Sequence, residues 1–388
     1  MRIVAYRLSY VVRASLVILV CALVALPGAI GAQVAPGTLV GRALLAAATL
    51  ADGPRAGQSF ASRKTINGVK VPFDSQPVGG FVDMSPGPYA GAFWVLSNST
   101  FDTAANSADY LLRMYTIEVN WRTTNGGDGG VSVVDWLTLA DPNKKAGKDI
   151  RNGSANAREL TGADFEPRAF QQLSDGSFWA AENIGPSLLH FDQRGRLLEA
   201  PIPLGTGAVE GLARFGSASL IVAQHSTTDP MAINLRNFDI GKHTLAPELT
   251  TFSRDKAGDV LSGLTMLNDH QALIIEHDNG QGKSAAFKRV FVVDLSAKPI
   301  SKTLVLDLLN IADPSNISGA KDAAQPADAL GIGAQFKYPY AGISAVMVQD
   351  AQTLIFVNDN NVPFGLGRSP SQADPSDFIM VRLAAALQ

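Results

Sequence analysis

The chain has 388 residues, with 35 acidic against 32 basic side chains and a formal charge of −3. Hydrophobic residues make up 46% and charged residues 17%, with 36 Gly and 21 Pro, which excludes a disordered chain and describes a turn-rich globular one. The charge balance gives no electrostatic footprint for nucleic acid.

Taken in chain order, the first element is a leader. Arg2, Arg7 and Arg13 precede an unbroken apolar run of 11 residues, Leu16 to Leu26. That run is short for a bilayer span. Pro27-Gly28 breaks it, and small residues lead to an expected cut after Ala32. Residues 1–32 are therefore expected to be a secretory signal and 33–388 one domain, in a secreted or periplasmic protein that leaves the membrane after cleavage. An uncleaved anchor is the alternative. Cleavage would remove three arginines, leaving 35 acids against 29 bases, and the single cysteine, Cys21. The mature chain would then lack disulfides, thiol chemistry and zinc-thiolate centres.

Beyond the leader, five short apolar runs share one shape: FWVLSN from Phe93, FWAAEN from Phe178, LIVAQH from Leu220, LIIEHD from Leu273 and LIFVND from Leu354. Each follows a turn and an earlier strand: GGFVDMS from Gly79, EPRAFQQL from Glu166, VEGLARF from Val209, LSGLTML from Leu261 and GISAVMV from Gly342. Turn residues such as Ser174-Asp175-Gly176 join them into hairpins. The runs are too short and too β-branched for helices.

The runs begin 85, 42, 53 and 81 residues apart, two single repeats and two near-double ones. VSVVDWLTL from Val131 and KTLVLDLLN from Lys302 are candidates for the missing members. Such a period, with several strands per unit, predicts an all-β propeller of six or seven blades. The chain is expected to be a monomer. Two packed sandwiches are the alternative. Phe93, Trp94, Phe178 and Trp179 recur at one strand position and read as core between blades.

In an antiparallel hairpin the start of the first strand and the end of the second share an edge. Glu210 is thus expected near His225, Ser262 near Glu276 and Asp278, and Ser344 near Asp359, Asn360 and Asn361, all around a central channel. Glu210, Glu276, His277 and Asp359 are the candidate catalytic residues, suited to activating water. Glu210, Glu276, Asp278, Asp359 and Asn360 are the candidate ligands of a hard cation such as calcium. Arg168, Lys283, Arg289, Asn183 and His225 are candidates for holding an anionic substrate. His190, in SLLHFD, reads as a structural strand residue. No G-x-S-x-G elbow, H-E-x-x-H or Walker loop is present, so a hydrolytic route would use activated water rather than a serine.

From Gly41 to Leu383 the chain resembles the phytase-like domain family, also described as having esterase-like activity of phytase. The segments that carry the likeness include GGFVDMSPGPYAGAFWVLSNSTFDTAANSADYLLRMYTI, LTGADFEPRAFQQLSDGSFWAAENIGPSLLHFDQRGRLLEAPIP, ALIIEHDNGQGKSAAFKRVFVVDL and LIFVNDNNVPFGLGR. The resemblance implies a propeller and hydrolysis of an ester or phosphoester, with a small anionic ester as ligand. It also implies acids where this chain has Asn98, Arg168, Asn183 and Ser344. With those acids missing, a second reading is a non-catalytic propeller that binds a ligand or partner on the same face. A third is a purely structural or surface-interaction protein.

Overall fold

The computed structural model describes residues 34–98, 101–256, 259–297 and 300–387. The leader expected over residues 1–32 lies outside the described residues. Strands dominate, and the helical elements among the described residues are two 3₁₀ turns, Gln58–Phe60 and Gly282–Ser284.

Five sheets stand around a channel. Blade 1 comprises Phe81–Pro86, Ala92–Ser97, Arg113–Val119 and Val131–Thr138; blade 2, Pro167–Gln172, Phe178–Glu182, Ser187–Phe191 and Ile202–Pro203. Blade 3 comprises Val209–Phe215, Ser219–His225, Ala232–Asp239 and Thr244–Ser253; blade 4, Val260–Met266, Gln271–His277, Lys288–Asp294 and Ser301–Asp307. Blade 5 takes Gly342–Asp350, Thr353–Asp359 and Ser376–Arg382 from the end of the chain and Gly37–Leu45 from its beginning. The first strand of each blade is innermost and touches the first strands of both neighbours.

The blade number is therefore five, not six or seven. The strands at Val131 and Lys302 are the outer strands of blades 1 and 4 rather than members of further blades. The two long spacings come from irregular insertions, residues 139–166 and 308–341, which follow those outer strands.

Each seam between blades is an apolar core. Phe178 and Ala180 pack with Val82, Leu96 and Met114 of blade 1, whereas Trp179 and Ala181 pack with Leu212, Leu220 and Val222 of blade 3. Alternate residues of one strand thus serve opposite seams, which is why these strands read as unbroken apolar runs. Leu273 and Ile275 face blade 5, while Ala272 and Ile274 face blade 3. Phe93, Phe178 and Trp179 all lie in such seams, as the aromatic repeat predicted.

The inner strands present backbone groups to the channel with no further strand to pair. Side chains satisfy several of them across the seams. Asp83 accepts from the Phe170 backbone amide (2.9 Å), Gln171 Nε2 donates to the Leu212 carbonyl (3.1 Å), and Thr265 Oγ1 donates to the Val346 carbonyl (3.0 Å). Blade 5 closes on its N-terminal strand through an antiparallel backbone ladder, and a buried ion-pair cluster reinforces it. Arg42 grips Asp377 through two bonds, Nε to Oδ1 at 3.0 Å and Nη2 to Oδ2 at 2.8 Å, and Arg368 Nη2 reaches the same Oδ2 at 2.9 Å. All three side chains are buried.

Candidate functional site

A cavity of about 480 Å³ opens where the first strands begin and the second strands end. Its wall includes Val82, Asn98, Asp102, Glu166, Arg168, Glu210, Ser262, His277, Ser344 and Asp359. The backbone explains part of this list. In four blades the register between the first two strands slips by one residue at the same height: at Val82, Arg168, Glu210 and Ser344. A bulge leaves one residue unpaired and re-aims its side chain. Each of these four residues lines the cavity. In blade 4 the irregularity falls between Ser262 and Thr265.

Among the expected site residues, Glu210, His277, Asp359 and Arg168 are brought together in the cavity wall. His225 stands behind Glu210, its Nε2 2.7 Å from Oε1 in an ion-pair contact rather than an aligned hydrogen bond. Asp359 Oδ1 accepts from the Asn361 amide (2.8 Å), and its Oδ2 accepts from Asn98 Nδ2 (3.3 Å). Burial pushes the Asp359 pKa up, and Arg168 pulls it part of the way back. The Asn98 side-chain Oδ1 is buried with no hydrogen-bond partner.

His277 is nearly fully buried, and its Nδ1 lies 2.9 Å from the Asp278 carbonyl. A carbonyl only accepts, so Nδ1 carries the hydrogen and Nε2 is left with a lone pair. Burial, helped by the Lys288 ammonium, pushes this imidazole down to about 4, so it is neutral near pH 7.

The other expected residues are engaged elsewhere. Glu276 is one residue before His277 and so faces the opposite way, into the seam with blade 3, where Lys302 Nζ meets it at 2.6 Å and the Asp255 amide donates to it. Asp278 holds its own loop, binding Lys288 Nζ (2.9 Å) and the amides of Gly280, Ala286 and Phe287. Asn360 is a clamp between blades 5 and 1, accepting from the Gly80 amide (2.8 Å) and donating to the Asp374 carbonyl (3.1 Å). Asn183 does the same between blades 2 and 3, exchanging both bonds with Val209. Arg289 leans on Phe287 and faces Asp307 at 3.8 Å on the outer strand, and Lys283 is exposed on the 3₁₀ turn away from the cavity wall.

Of the five expected calcium ligands, two line the cavity and three hold other partners. Among the described residues, no three acidic or imidazole groups of the mouth come within 4.8 Å of one another. The oxygen donors that remain there, Glu166, Glu210, Asp359 and the unpartnered Asn98 oxygen, are of the type a hard cation takes.

Glu166 was not singled out from the sequence. It heads the first strand of blade 2 much as Glu210 heads that of blade 3, and that parallel was the available signal. Its carboxylate faces Arg168 Nη1 at 3.6 Å. Burial raises its pKa, Arg168 opposes the rise, and Glu182, Asp359 and Glu210 reinforce it. Asp102, in an irregular loop at left-handed φ, gave no such signal.

Solved structures similar to the chain include virginiamycin B lyase from Staphylococcus aureus, in a catalytically inactive form with quinupristin. It shares 12% identity, with a TM-score of 0.36, over 78% of this chain and 94% of that one. A streptogramin B lyase shares 11% identity over 79% and 66%, with a TM-score of 0.34. YCF48 from Cyanidioschyzon merolae shares 12% over 76% and 67%, with a TM-score of 0.33. No curated protein sequence matches the chain. The sequence profile of one family, described as Phytase-like, esterase-like activity of phytase, matches residues 76–362. With that match spanning most of its length, and with a five-bladed propeller beneath it, the chain belongs to the phytase-like family.

Proposed function

We propose that the mouth cavity binds a small anionic ester or phosphoester and hydrolyses it with activated water. The observation that carries this reading is the composition of one wall: a guanidinium, a neutral imidazole of fixed tautomer and carboxyls whose proton affinity is raised. Arg168 receives the anionic group. His277 is a weak base, and its Nε2 lone pair suits it to orient the water. Asp359, whose proton affinity burial raises, takes the proton as the water oxygen attacks the acyl carbon or phosphorus. The bond to the leaving oxygen breaks, and the His225–Glu210 pair returns a proton to that oxygen. Proton exchange with solvent then resets both groups.

A calcium-assisted form of the reaction belongs to this proposal. Glu166, Glu210, Asp359 and the Asn98 oxygen would hold the ion, which would supply charge stabilisation to the transition state. The secreted or periplasmic location is likewise a proposal, resting on the leader pattern of residues 1–32.

A second reading, a mouth that binds without turnover, is favoured by the engagement of Glu276 with Lys302, Asp278 with Lys288 and Glu166 with Arg168. Initial rates on an aryl phosphate and an aryl carboxylate ester, with EDTA and with calcium, separate the two. Turnover with a KM raised roughly tenfold in Arg168→Gln, the loss of one charge-assisted contact, supports hydrolysis. Binding of inorganic phosphate without turnover of either ester under either condition leaves the binding reading in its place.

A further inference from the structure

At the end of the propeller away from the mouth, three ligand-type side chains converge on the seam between blades 2 and 3. His190 is on the third strand of blade 2, Glu199 in the segment that follows, and His243 in the turn after Asp239 of blade 3. His190 Nδ1 lies 2.9 Å from Glu199 Oε1, and His243 Nδ1 lies 2.8 Å from Oε2 of the same carboxylate. One ligand atom from each lies within 4.8 Å of the others, the sole such group among the described residues. We propose that His190, Glu199 and His243 bind a divalent transition ion of the zinc class, stapling blade 2 to blade 3.

The partners of His190 suit a metal-binding ring. Ser177 Oγ lies 2.7 Å from Asp175 Oδ1, a carboxylate that only accepts, so the single hydroxyl hydrogen points there. The same Oγ faces His190 Nε2 at 3.3 Å and is left as an acceptor for a hydrogen on Nε2. In that tautomer Nδ1 presents its lone pair to the same space as the Glu199 carboxylate, as a metal-binding imidazole does. The chain Asp175–Ser177–His190 is also the arrangement by which outer partners fix a metal-binding imidazole, with the far nitrogen hydrogen-bonded and the near one free.

Packing holds the rings for this role. Trp179 stacks on His190 at 4.2 Å and 7°, and meets His243 edge-on at 5.5 Å. The outer side is open: the His243 side chain is 42% exposed and that of Glu199 28%. Two imidazoles and a carboxylate leave a fourth position for water, and this donor set selects zinc, copper or nickel over calcium and magnesium. Ligands of a tetrahedral zinc at about 2.1 Å stand about 3.4 Å apart, so the half-buried Glu199 and each imidazole need to part by about half an ångström.

The test is zinc titration of EDTA-stripped, full-length protein in excess calcium and magnesium, read by calorimetry and by thermal unfolding. Expected is one saturable zinc per chain, a melting temperature that rises with zinc, and affinity lowered about 10- to 100-fold or more in His243→Ala and in Glu199→Gln. His243 is exposed, so the metal-free variant should melt near wild type. Cobalt(II) should give the visible spectrum of a four-coordinate N₂O₂ site, water included, lost in both variants. Absence of saturable binding overturns the proposal. So does zinc binding that survives both variants, or that is lost in Glu210→Gln at the mouth instead.

Discussion

His277 couples the mouth to stability through one proton. Its imidazole titrates near 4 in the folded chain against about 6.5 when unfolded. Between those values the unfolded chain binds the extra proton, so stability falls as pH drops below about 6.5 and reaches its full loss below about 4, a difference on the order of 3 kcal/mol. The His277→Gln variant should lack this component, which urea unfolding at pH 7 and pH 4 would detect as a shallower drop. An equal drop in both proteins would refute the assignment. Asp83 acts in the opposite sense. Burial pushes it up to about 7, so the folded chain takes up its proton first and gains stability as pH falls from 7 toward 4. The comparison must therefore be the difference between His277→Gln and wild type, not the wild-type curve alone.

At the scale of the element, the repeated bulge separates the residues that face the cavity from those that hold the blades. Arg168, Glu210 and Ser344 are unpaired bulge residues, whereas Asn183 and Asn360 complete backbone hydrogen bonds across seams. Ser344→Ala is expected to change stability by less than about 0.5 kcal/mol. Asn360→Ala strands the Gly80 amide and the Asp374 carbonyl and should cost about 1–3 kcal/mol. Chemical denaturation of the two variants checks the contrast, and equal losses would contradict it. The hairpin reading of the sequence already located this edge, because the paired ends of two strands must share one side. It could not tell which polar residue of a consecutive pair turns inward. In Glu276-His277 the two-residue period sends the glutamate to a lysine in the seam and the histidine to the cavity. The bulges were not legible either, since no residue pattern marks a one-residue slip.

Over the whole molecule, closure depends on joining the two ends of the described chain in one sheet. Arg42 on the N-terminal strand and Arg368 both rely on Asp377, with the Tyr340 hydroxyl donating to it at 2.7 Å. Asp377→Asn leaves two buried guanidinium groups without their counter-ion and should destabilise the fold by about 3–5 kcal/mol. A thermal scan showing a loss below about 1 kcal/mol would refute this role for the latch. The propeller itself was legible from five hairpins of one shape. The blade count was not, because insertions 139–166 and 308–341 lengthen two spacings to nearly twice a repeat while adding no blade.

The proposed hydrolysis belongs to the mouth cavity and not to the carboxylate in the seam. Measuring kcat/KM for aryl ester or aryl phosphate hydrolysis in Asp359→Asn and Glu276→Gln, with the unfolding free energy of each, tests it most directly. Asp359→Asn should lower kcat about 100-fold or more with little loss of stability. Glu276→Gln should cost about 2 kcal/mol of stability while the folded fraction keeps near wild-type kcat. Full activity in Asp359→Asn, or activity abolished in folded Glu276→Gln, would contradict it.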